Sequence, residues 1–368
     1  MSVSERPRIR VAVLGGGRSS EHEVSLRSAA SVVAALDPER FDVVPVQIDR
    51  GGAWQIESSA QPSLEPGHRQ IESSARLSLE PGAESRSLVP TAPAGLPAPA
   101  GIGPIDVVLP VRHGPFGEDG RLQGLLDMIN IPYVGSGVAA SALTMDKDKV
   151  KYVLRGVGIA VADHVVLRNR RFGATDAEAV ERLGYPCFVK PANLGSSVGI
   201  SKVTAPEGLA AAVELAFRHD RTVLVEEMIG GREVELGLLG NSDPLVSPPG
   251  EIVIANDSDW YDYSAKYDEG AMRLRVPADL PESVTAELPD VARRAFEVCG
   301  CSGMARIDFF VTPEHRVVLN EINTIPGFTS TSVYAELFEA IGIGYPQLLE
   351  RLIELALERH ADDQTYAY

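Results

Sequence analysis

The chain has 368 residues, 44% of them hydrophobic and 23% charged, and 34 Lys and Arg against 51 Asp and Glu leave a formal charge of −17. Such a balance excludes collagen-like, coiled-coil and wholly disordered classes, and the length calls for two or three domains around real cores. A strongly acidic chain repels phosphate backbones and anionic lipid, so a small ligand is expected in place of a nucleic-acid or membrane-surface partner.

Three cysteines, Cys187, Cys299 and Cys301, are too few and too unevenly placed for a disulfide framework or a four-ligand zinc site. A reducing compartment follows. Residues 2–8 pass directly into the short apolar run 11–14 without a signal-peptide core, and no later apolar stretch could span a bilayer. A cytoplasmic protein is expected.

Residues 8–14 read as a buried strand, 15–17 as a tight turn, 21–36 as an amphipathic helix ended by Asp37-Pro38, and 41–48 as a second strand. The opening is β-turn-α-β, the start of a parallel sheet. Gly15-Gly16-Gly17-Arg18-Ser19-Ser20 carries Ser20 where G-x-G-x-x-G needs its third glycine, so it is a weak dinucleotide signal. A plainer reading makes Ser20 an N-cap, with Glu23 completing a capping box. Glu21 is then left in the first helical turn, either to bind a substrate ammonium or to complement the helix dipole.

The segment 57–104 breaks the pattern with eight Pro and eight Ser in 48 residues. Within it QIESSAQPSLEPG (55–67) and QIESSARLSLEPG (70–82) agree at eleven of thirteen positions, a local duplication too short and too polar for a solenoid. An inserted surface loop is expected. The α/β pattern resumes with the apolar strand 105–111 and alternates to about residue 170. Strands over 187–190 and 223–226 then bracket a helix near 206–217.

The stretch 188–199, FVKPANLGSSVG, sets a strand ending in Lys190 before a Gly- and Ser-rich turn, which offers an ammonium and several backbone N–H groups to a polyphosphate. The Lys precedes the glycines, so this is not the G-x-x-x-x-G-K-[ST] loop, and an ordinary turn between strands is an equally open reading. Four aromatics, Trp260, Tyr261, Tyr263 and Tyr267, fall within eight residues of a polar region, fitting either a lid that closes on a ligand or a patch that packs on a neighbouring domain.

Late in the chain, strands 305–311 and 317–323 form a hairpin through Thr312-Pro313-Glu314-His315. Residues i and i+2 of a strand share a face, so Arg306 with Asp308, and Glu321 with Asn323, point the same way on their strands. Two carboxylates and an amide oxygen suit Mg²⁺, with water and substrate phosphates completing the octahedron. The alternative is a solvent-facing polar side, against which stand bulky Phe309, Phe310, Val318 and Leu319.

These segments, with RHGPFGEDG (112–120), TMDK (144–147), VEEMIGGREVELGLLGN (225–241), YDYSAKY (261–267), ARIDFF (305–310) and NEINTIPGFTSTS (320–332), closely resemble the D-alanine:D-alanine ligases of the ATP-grasp superfamily, motif by motif and in order. The resemblance covers residues 8 to about 360 apart from 57–104. It implies an α/β fold, with an N-terminal parallel-sheet (preATP-grasp) domain at 1–143, then an ATP-grasp fold of two α+β subdomains at 144–233 and 234–368, the second carrying a lid over 256–275. It implies ATP-dependent joining of two D-alanines through an acyl phosphate, for peptidoglycan precursors, with ATP as co-substrate, two Mg²⁺ ions (Mn²⁺ as a possible substitute) and a homodimer.

By the same resemblance Lys147 and Lys190 would neutralise ATP phosphates under a loop bearing Ser196 and Ser197, and Glu226, Glu227, Met228 and Ile229 would hold adenine. Glu233 would take the ribose, with Lys266, Phe310 and Asn320 completing the nucleotide set. Asp308, Glu321 and Asn323 would bind the metal ions. Arg306 and the Gly327 N–H would stabilise the oxyanion of the tetrahedral adduct. Glu21 would hold the first substrate's ammonium through a chain including Ser196 and Tyr267, while Ser332 and Val333 would bound the second substrate's pocket and His113 would support it.

Glu227 stands where some relatives have Lys, Val333 where Leu is frequent, and the insert exceeds the family's need. A D-alanyl-D-lactate or D-alanyl-D-serine ligase is the neighbouring reading, with Tyr267 against the depsipeptide version. An NAD-dependent oxidoreductase would leave Lys190 and the Asp308, Glu321 and Asn323 set idle, and a catalytically dead nucleotide-binding module would not need the full ligand set.

Overall fold

The structure is a computed structural model that describes residues 7–56, 76–78, 89–91, 104–254 and 272–367. Strand β1 (Ile9–Gly16), helix α1 (His22–Ala35) and strand β2 (Phe41–Ile48) open the chain, followed by β3 (Trp54–Ile56). α1 carries the chain back so that β1 and β2 run parallel, Ile9 facing Phe41 and Gly16 facing Ile48. β4 (Arg76–Ser78) and β5 (Val89–Thr91) make a small antiparallel pair inside the insert, whose other residues between 57 and 103 lie outside the described residues. β6 (Val107–Pro110) then joins the free side of β1 in parallel, giving the order β3-β2-β1-β6.

The expected capping box is not formed. α1 starts one residue later than predicted, with Glu21 at its N-cap and no side-chain cap bond. Ser19 accepts the Glu21 N–H at 3.1 Å instead, while exposed Glu23 pairs with Arg50 at 3.0 Å. The strand also runs through Gly15 and Gly16, so the turn is shorter than predicted. The cause is tertiary: an added Cβ at Gly16 would sit 2.4 Å from the Ile48 carbonyl oxygen, so the glycines serve close packing of β1 on its neighbours.

Helices α2 (Arg121–Met128), α3 (Val138–Met145) and α4 (Lys147–Gly156) lead into a second sheet. It contains β7 (His164–Arg168), β8 (Cys187–Pro191), β9 (Ser201–Val203) and β10 (Thr222–Glu227) in the antiparallel order β7-β10-β8-β9, with α5 (Ala174–Leu183) and α6 (Leu209–Ala216) against it. The helix predicted near 206–217 resolves into a 3₁₀ turn, Pro206–Gly208, and α6.

The third sheet is β14-β13-β11-β15-β16, with β12 on β11, all antiparallel. Its strands are β11 (Arg232–Gly240), β12 (Leu245–Val246), β13 (Gly250–Ile254), β14 (Met272–Arg275), β15 (Gly303–Val311) and β16 (Val317–Asn323), accompanied by α7 (Glu282–Val298), α8 (Val333–Glu339) and α9 (Tyr345–Asp363). The predicted hairpin is present, with β15 beginning two residues early.

Burial divides these elements unevenly. One face of the first sheet (Val11, Val13, Val107, Leu109) shares a continuous core with Phe328, Tyr334, Leu348, Leu352 and Ile353 from the far end of the chain. The second sheet keeps a core of its own, drawn from Leu167 through Val225 and including Val189, Leu209, Val213 and Phe217. α4 gives Val150 and Leu154 to the core of the third sheet, against Leu236, Leu288, Phe296 and Phe309. Burial of such side chains, at about 1.5–3 kcal/mol each, is what ties the ends of the chain together. Cys187, Cys299 and Cys301 are buried free thiols.

Candidate active site

Two cavities of about 430 and 440 Å³ meet at Gly195, Ser196 and Glu321. The first contains Glu21, His113, Ser196, Arg306, Glu321, Asn323, Gly327, Ser332 and Val333, and the second contains Lys147, Lys190, Ser196, Ser197, Glu226, Glu227, Met228, Ile229, Glu233, Phe310, Asn320 and Glu321. Asp308 lines neither and lies buried behind Arg306. Lys266, Tyr267 and most of the expected lid lie outside the described residues.

The loop after β8 joins the cavities. Ser196 and Ser197 both take left-handed backbone, with φ of 51° and 56°, which costs a non-glycine residue of order 1–3 kcal/mol and is held by contacts around it. The Ser196 hydroxyl donates to Glu21, and an added Cβ on Gly195 would stand 3.0 Å from the same carboxylate. From the other side Lys147 donates to the Leu194 carbonyl at 2.7 Å. Burial lowers the Lys147 pKa against the nearby Glu321 carboxylate, 3.9 Å away.

In the second cavity the Glu226 carboxylate is 3% exposed and bracketed by two ammoniums, Lys190 at 2.5 Å and Lys151 at 3.3 Å. Burial alone would raise its pKa. The two lysines outweigh that and hold it down to about 2. Glu227 accepts the Asp163 N–H at 2.8 Å, so its side chain is engaged at the cavity edge.

In the first cavity the Arg306 guanidinium meets both oxygens of Asp308, at 2.8 and 2.7 Å, and lies 2.9 Å from Glu235. Register explains the grouping: Glu235 on β11 faces Asp308 on β15, which faces Glu321 on β16, while Arg306 faces Asn323. Burial by itself would lower the Arg306 pKa, and the two carboxylates carry it well above its ordinary value, so the cation is permanent. Asn323 donates to Asp308 at 3.0 Å. The Ser332 hydroxyl accepts the Thr329 N–H at 2.7 Å beside Gly327, whose added Cβ would lie 3.6 Å away.

His113 binds the Ile325 carbonyl at 2.9 Å through Nδ1 and the Ser28 hydroxyl at 3.0 Å through Nε2, and burial lowers its pKa despite the Glu21 carboxylate. Glu118, unremarked in the sequence although it sits within RHGPFGEDG, accepts the Gly114 and Ile325 N–H groups at 2.7 and 3.3 Å. Burial first, and then the carboxylates of Glu21 and Glu321, push its pKa up to about 8. Glu235 and Lys151 were also missed. Glu235 follows Glu233 at i+2 on β11 and Lys151 follows Lys147 at i+4 on α4, spacings that put each on a shared face.

Among the described residues no three His, Cys, Asp or Glu side chains cluster as a metal site. The set of Asp308, Glu321 and Asn323 is two carboxylates and an amide, all oxygen donors in adjacent strand positions, and a carboxylate that accepts two guanidinium bonds still keeps lone pairs. That chemistry fits a hard divalent cation.

Two family models match the chain, the D-ala D-ala ligase N-terminus over residues 10–136 and the D-ala D-ala ligase C-terminus over residues 153–354. The chain belongs to the D-alanine–D-alanine ligase family. It is 48% identical to D-alanine–D-alanine ligase A of Escherichia coli (strain K12) over 361 residues, covering 97% of this chain and 98% of that protein. The ligase of Kineococcus radiotolerans is likewise 48% identical over 372 residues, at 97% and 99% coverage. Among solved structures, the D-alanine-D-alanine ligase of Coxiella burnetii superposes with a TM-score of 0.84 at 37% identity, covering 98% of this chain and 97% of that one. A D-Ala:D-Ser ligase of Enterococcus faecalis gives 0.81 at 34%, covering 95% and 100%. The ligase family's fold, ATP-grasp, is therefore the fold of this chain, and its members use ATP.

Proposed function

We propose that this chain joins two D-alanines to D-alanyl-D-alanine at the expense of ATP, supplying peptidoglycan precursors, through an acyl phosphate. The observation that carries this reading is the meeting of the two cavities at Gly195, Ser196 and Glu321, which would put a transferring phosphoryl group beside a bound carboxylate.

A carboxylate is a poor electrophile. One oxygen of the first D-alanine's carboxylate would attack the γ-phosphorus of ATP, the bond to ADP would break, and the acyl phosphate would remain. Lys147 and Lys190 would neutralise phosphate charge, Ser196 and Ser197 would cover it, 226–229 would hold adenine, and Glu233 the ribose, with Phe310, Asn320 and Lys266 around them. Asp308, Glu321 and Asn323 would hold Mg²⁺, which when bound neutralises charge on the transferring group.

In the second half the deprotonated amine of the second D-alanine would attack the acyl carbon, and phosphate would leave with its bonding pair. Glu21, fixed by Ser196, would hold the first substrate's ammonium, and Tyr267 would belong to the same chain. Arg306 and the Gly327 N–H would face the developing oxyanion, Ser332 the second carboxylate, Val333 its methyl side, and His113 would brace the wall through Ile325. A cytoplasmic homodimer completes the proposal.

Phosphate release from ATP and Mg²⁺, measured with and without D-alanine, tests it. D-alanine-dependent release with D-alanyl-D-alanine as the main product by mass is expected, and release that ignores D-alanine would sink it. Presenting D-serine and D-lactate beside D-alanine distinguishes the acceptors.

A further inference from the structure

Lys151 is 1% exposed, lines neither cavity, and has no part in the chemistry above, yet its ammonium lies 3.3 Å from Glu226. A buried lysine is costly unless something needs its charge. Glu226 is shared: one oxygen faces Lys151 and the other faces Lys190, and only Lys190 reaches the cavity. Lys190 holds Glu226 at 2.5 Å while reaching the cavity, so phosphates that draw its ammonium inward would lengthen and weaken that contact, although three protons let it serve both. To the extent that phosphates draw Lys190 away, the buried Glu226 carboxylate would depend on Lys151.

We propose that Lys151 is a positioning residue that keeps the Glu226 carboxylate charged and aimed at the adenine amino group after Lys190 has been drawn to the nucleotide's phosphates. This rests on the assignment of Glu226 and Lys190 to ATP made above. Lys151 is placed for the task because it stands one helical turn after Lys147, so α4 sends one ammonium to the cavity and the next behind it. The groups facing Lys151 are Lys147 from its own helix, His164 from β7, Lys190 from β8 and Glu226 from β10. Burial lowers the His164 pKa, and Glu226 is the carboxylate in that set.

The same surroundings bear on pH. Burial pushes the Lys151 pKa down to about 8, with Lys190 and Lys147 adding to the effect and Glu226 opposing it. Above that pH the brace is lost, so kcat/KM for ATP, which reports the free enzyme, should fall with a midpoint near pH 8 at saturating D-alanine.

The test compares the intact enzyme, Lys151→Met and Glu226→Gln, each with ATP and with GTP, which carries oxygen where ATP carries the amino group. Lys151→Met is expected to raise KM for ATP about tenfold with kcat within about threefold, to reduce the preference for ATP over GTP, and to remove the limb near pH 8. Unchanged KM, preference and pH profile in a folded Lys151→Met enzyme overturn the proposal. If Glu226→Gln raises KM for ATP while Lys151→Met does not, the Lys151 role alone is wrong. If Glu226→Gln also leaves KM unchanged, the adenine assignment falls and the proposal falls with it. Should Lys151→Met fail to fold, the double variant Lys151→Met/Glu226→Gln, which removes both charges, serves instead. Nucleotide preference no worse than in Glu226→Gln supports the brace, and additive losses overturn it.

Discussion

The first and second sheets are both small and four-stranded, but they are anchored differently. Val11, Val13, Val107 and Leu109 of the first are sealed against Leu348, Leu352 and Ile353 of α9, while the second closes its core with residues between Val165 and Val225. A shared core leaves no seam along which two pieces can part, whereas a private core allows its owner to move as a body. The first cavity, proposed for the amino acids, is walled mainly by parts that share cores, with Gly195 and Ser196 reaching in from the second sheet. The second cavity, proposed for the nucleotide, lies between the second and third sheets. On the proposed assignment of the cavities, the contrast predicts a preorganised substrate wall and places any closure on the nucleotide side.

The hardest blow to this division strikes its junction. Glu321→Gln removes a charge common to both cavities, and kcat should fall by at least about a hundredfold with melting temperature within a few degrees of the parent. Near-parental turnover in a folded protein would show that Glu321 serves neither cavity as argued.

Core substitutions probe the division directly. Leu352→Ala, on the face of α9 buried against the first sheet, should cost about 2–5 kcal/mol and lower a single global unfolding transition in urea. Val213→Ala, inside the private core, should cost less, about 1–3 kcal/mol, and raise KM for ATP more than KM for D-alanine. Equal effects of the two on both constants would erase the distinction.

Acid offers a gentler test at the nucleotide side. Glu226 holds its charge down to about pH 2 when folded, whereas an ordinary glutamate protonates near 4.5. Between those values the unfolded chain binds the extra proton, so stability is present above about pH 4.5 and is lost as pH falls toward 2. Urea midpoints at pH 6 and pH 3 should therefore differ more in the parent than in Glu226→Gln, and an identical difference would show that the lysine bracket is not what keeps the pKa low.

The smallest effect is expected from the insert. Replacing 57–104 with a short Gly/Ser linker should leave ligase activity and melting temperature close to the parent, because its sequence lacks the periodicity that buries surface. Loss of folding would mean that the first sheet depends on it.

Strand and helix periods, the β-turn-α-β opening and the late hairpin could be read in the sequence, because these depend on spacing within a few residues, whereas Glu118, Glu235 and Lys151 could not be singled out that way. Lys190 before a Gly- and Ser-rich turn, and Asp308, Glu321 and Asn323 on one hairpin face, needed no partner from elsewhere to be noticed. The capping box at Ser20 and Glu23 failed because Ser19 took the Glu21 N–H and Arg50 took Glu23. What only the tertiary structure decided is long-range: the register of β11 against β15 that sets Glu235 beside Arg306, the approach of α4 to β10 that puts Lys151 behind Glu226, and the core that α9 shares with the first sheet. A single sequence encodes local preference directly, but which distant surfaces meet is fixed by the burial and pairing of whole elements, and no spacing along the chain records that.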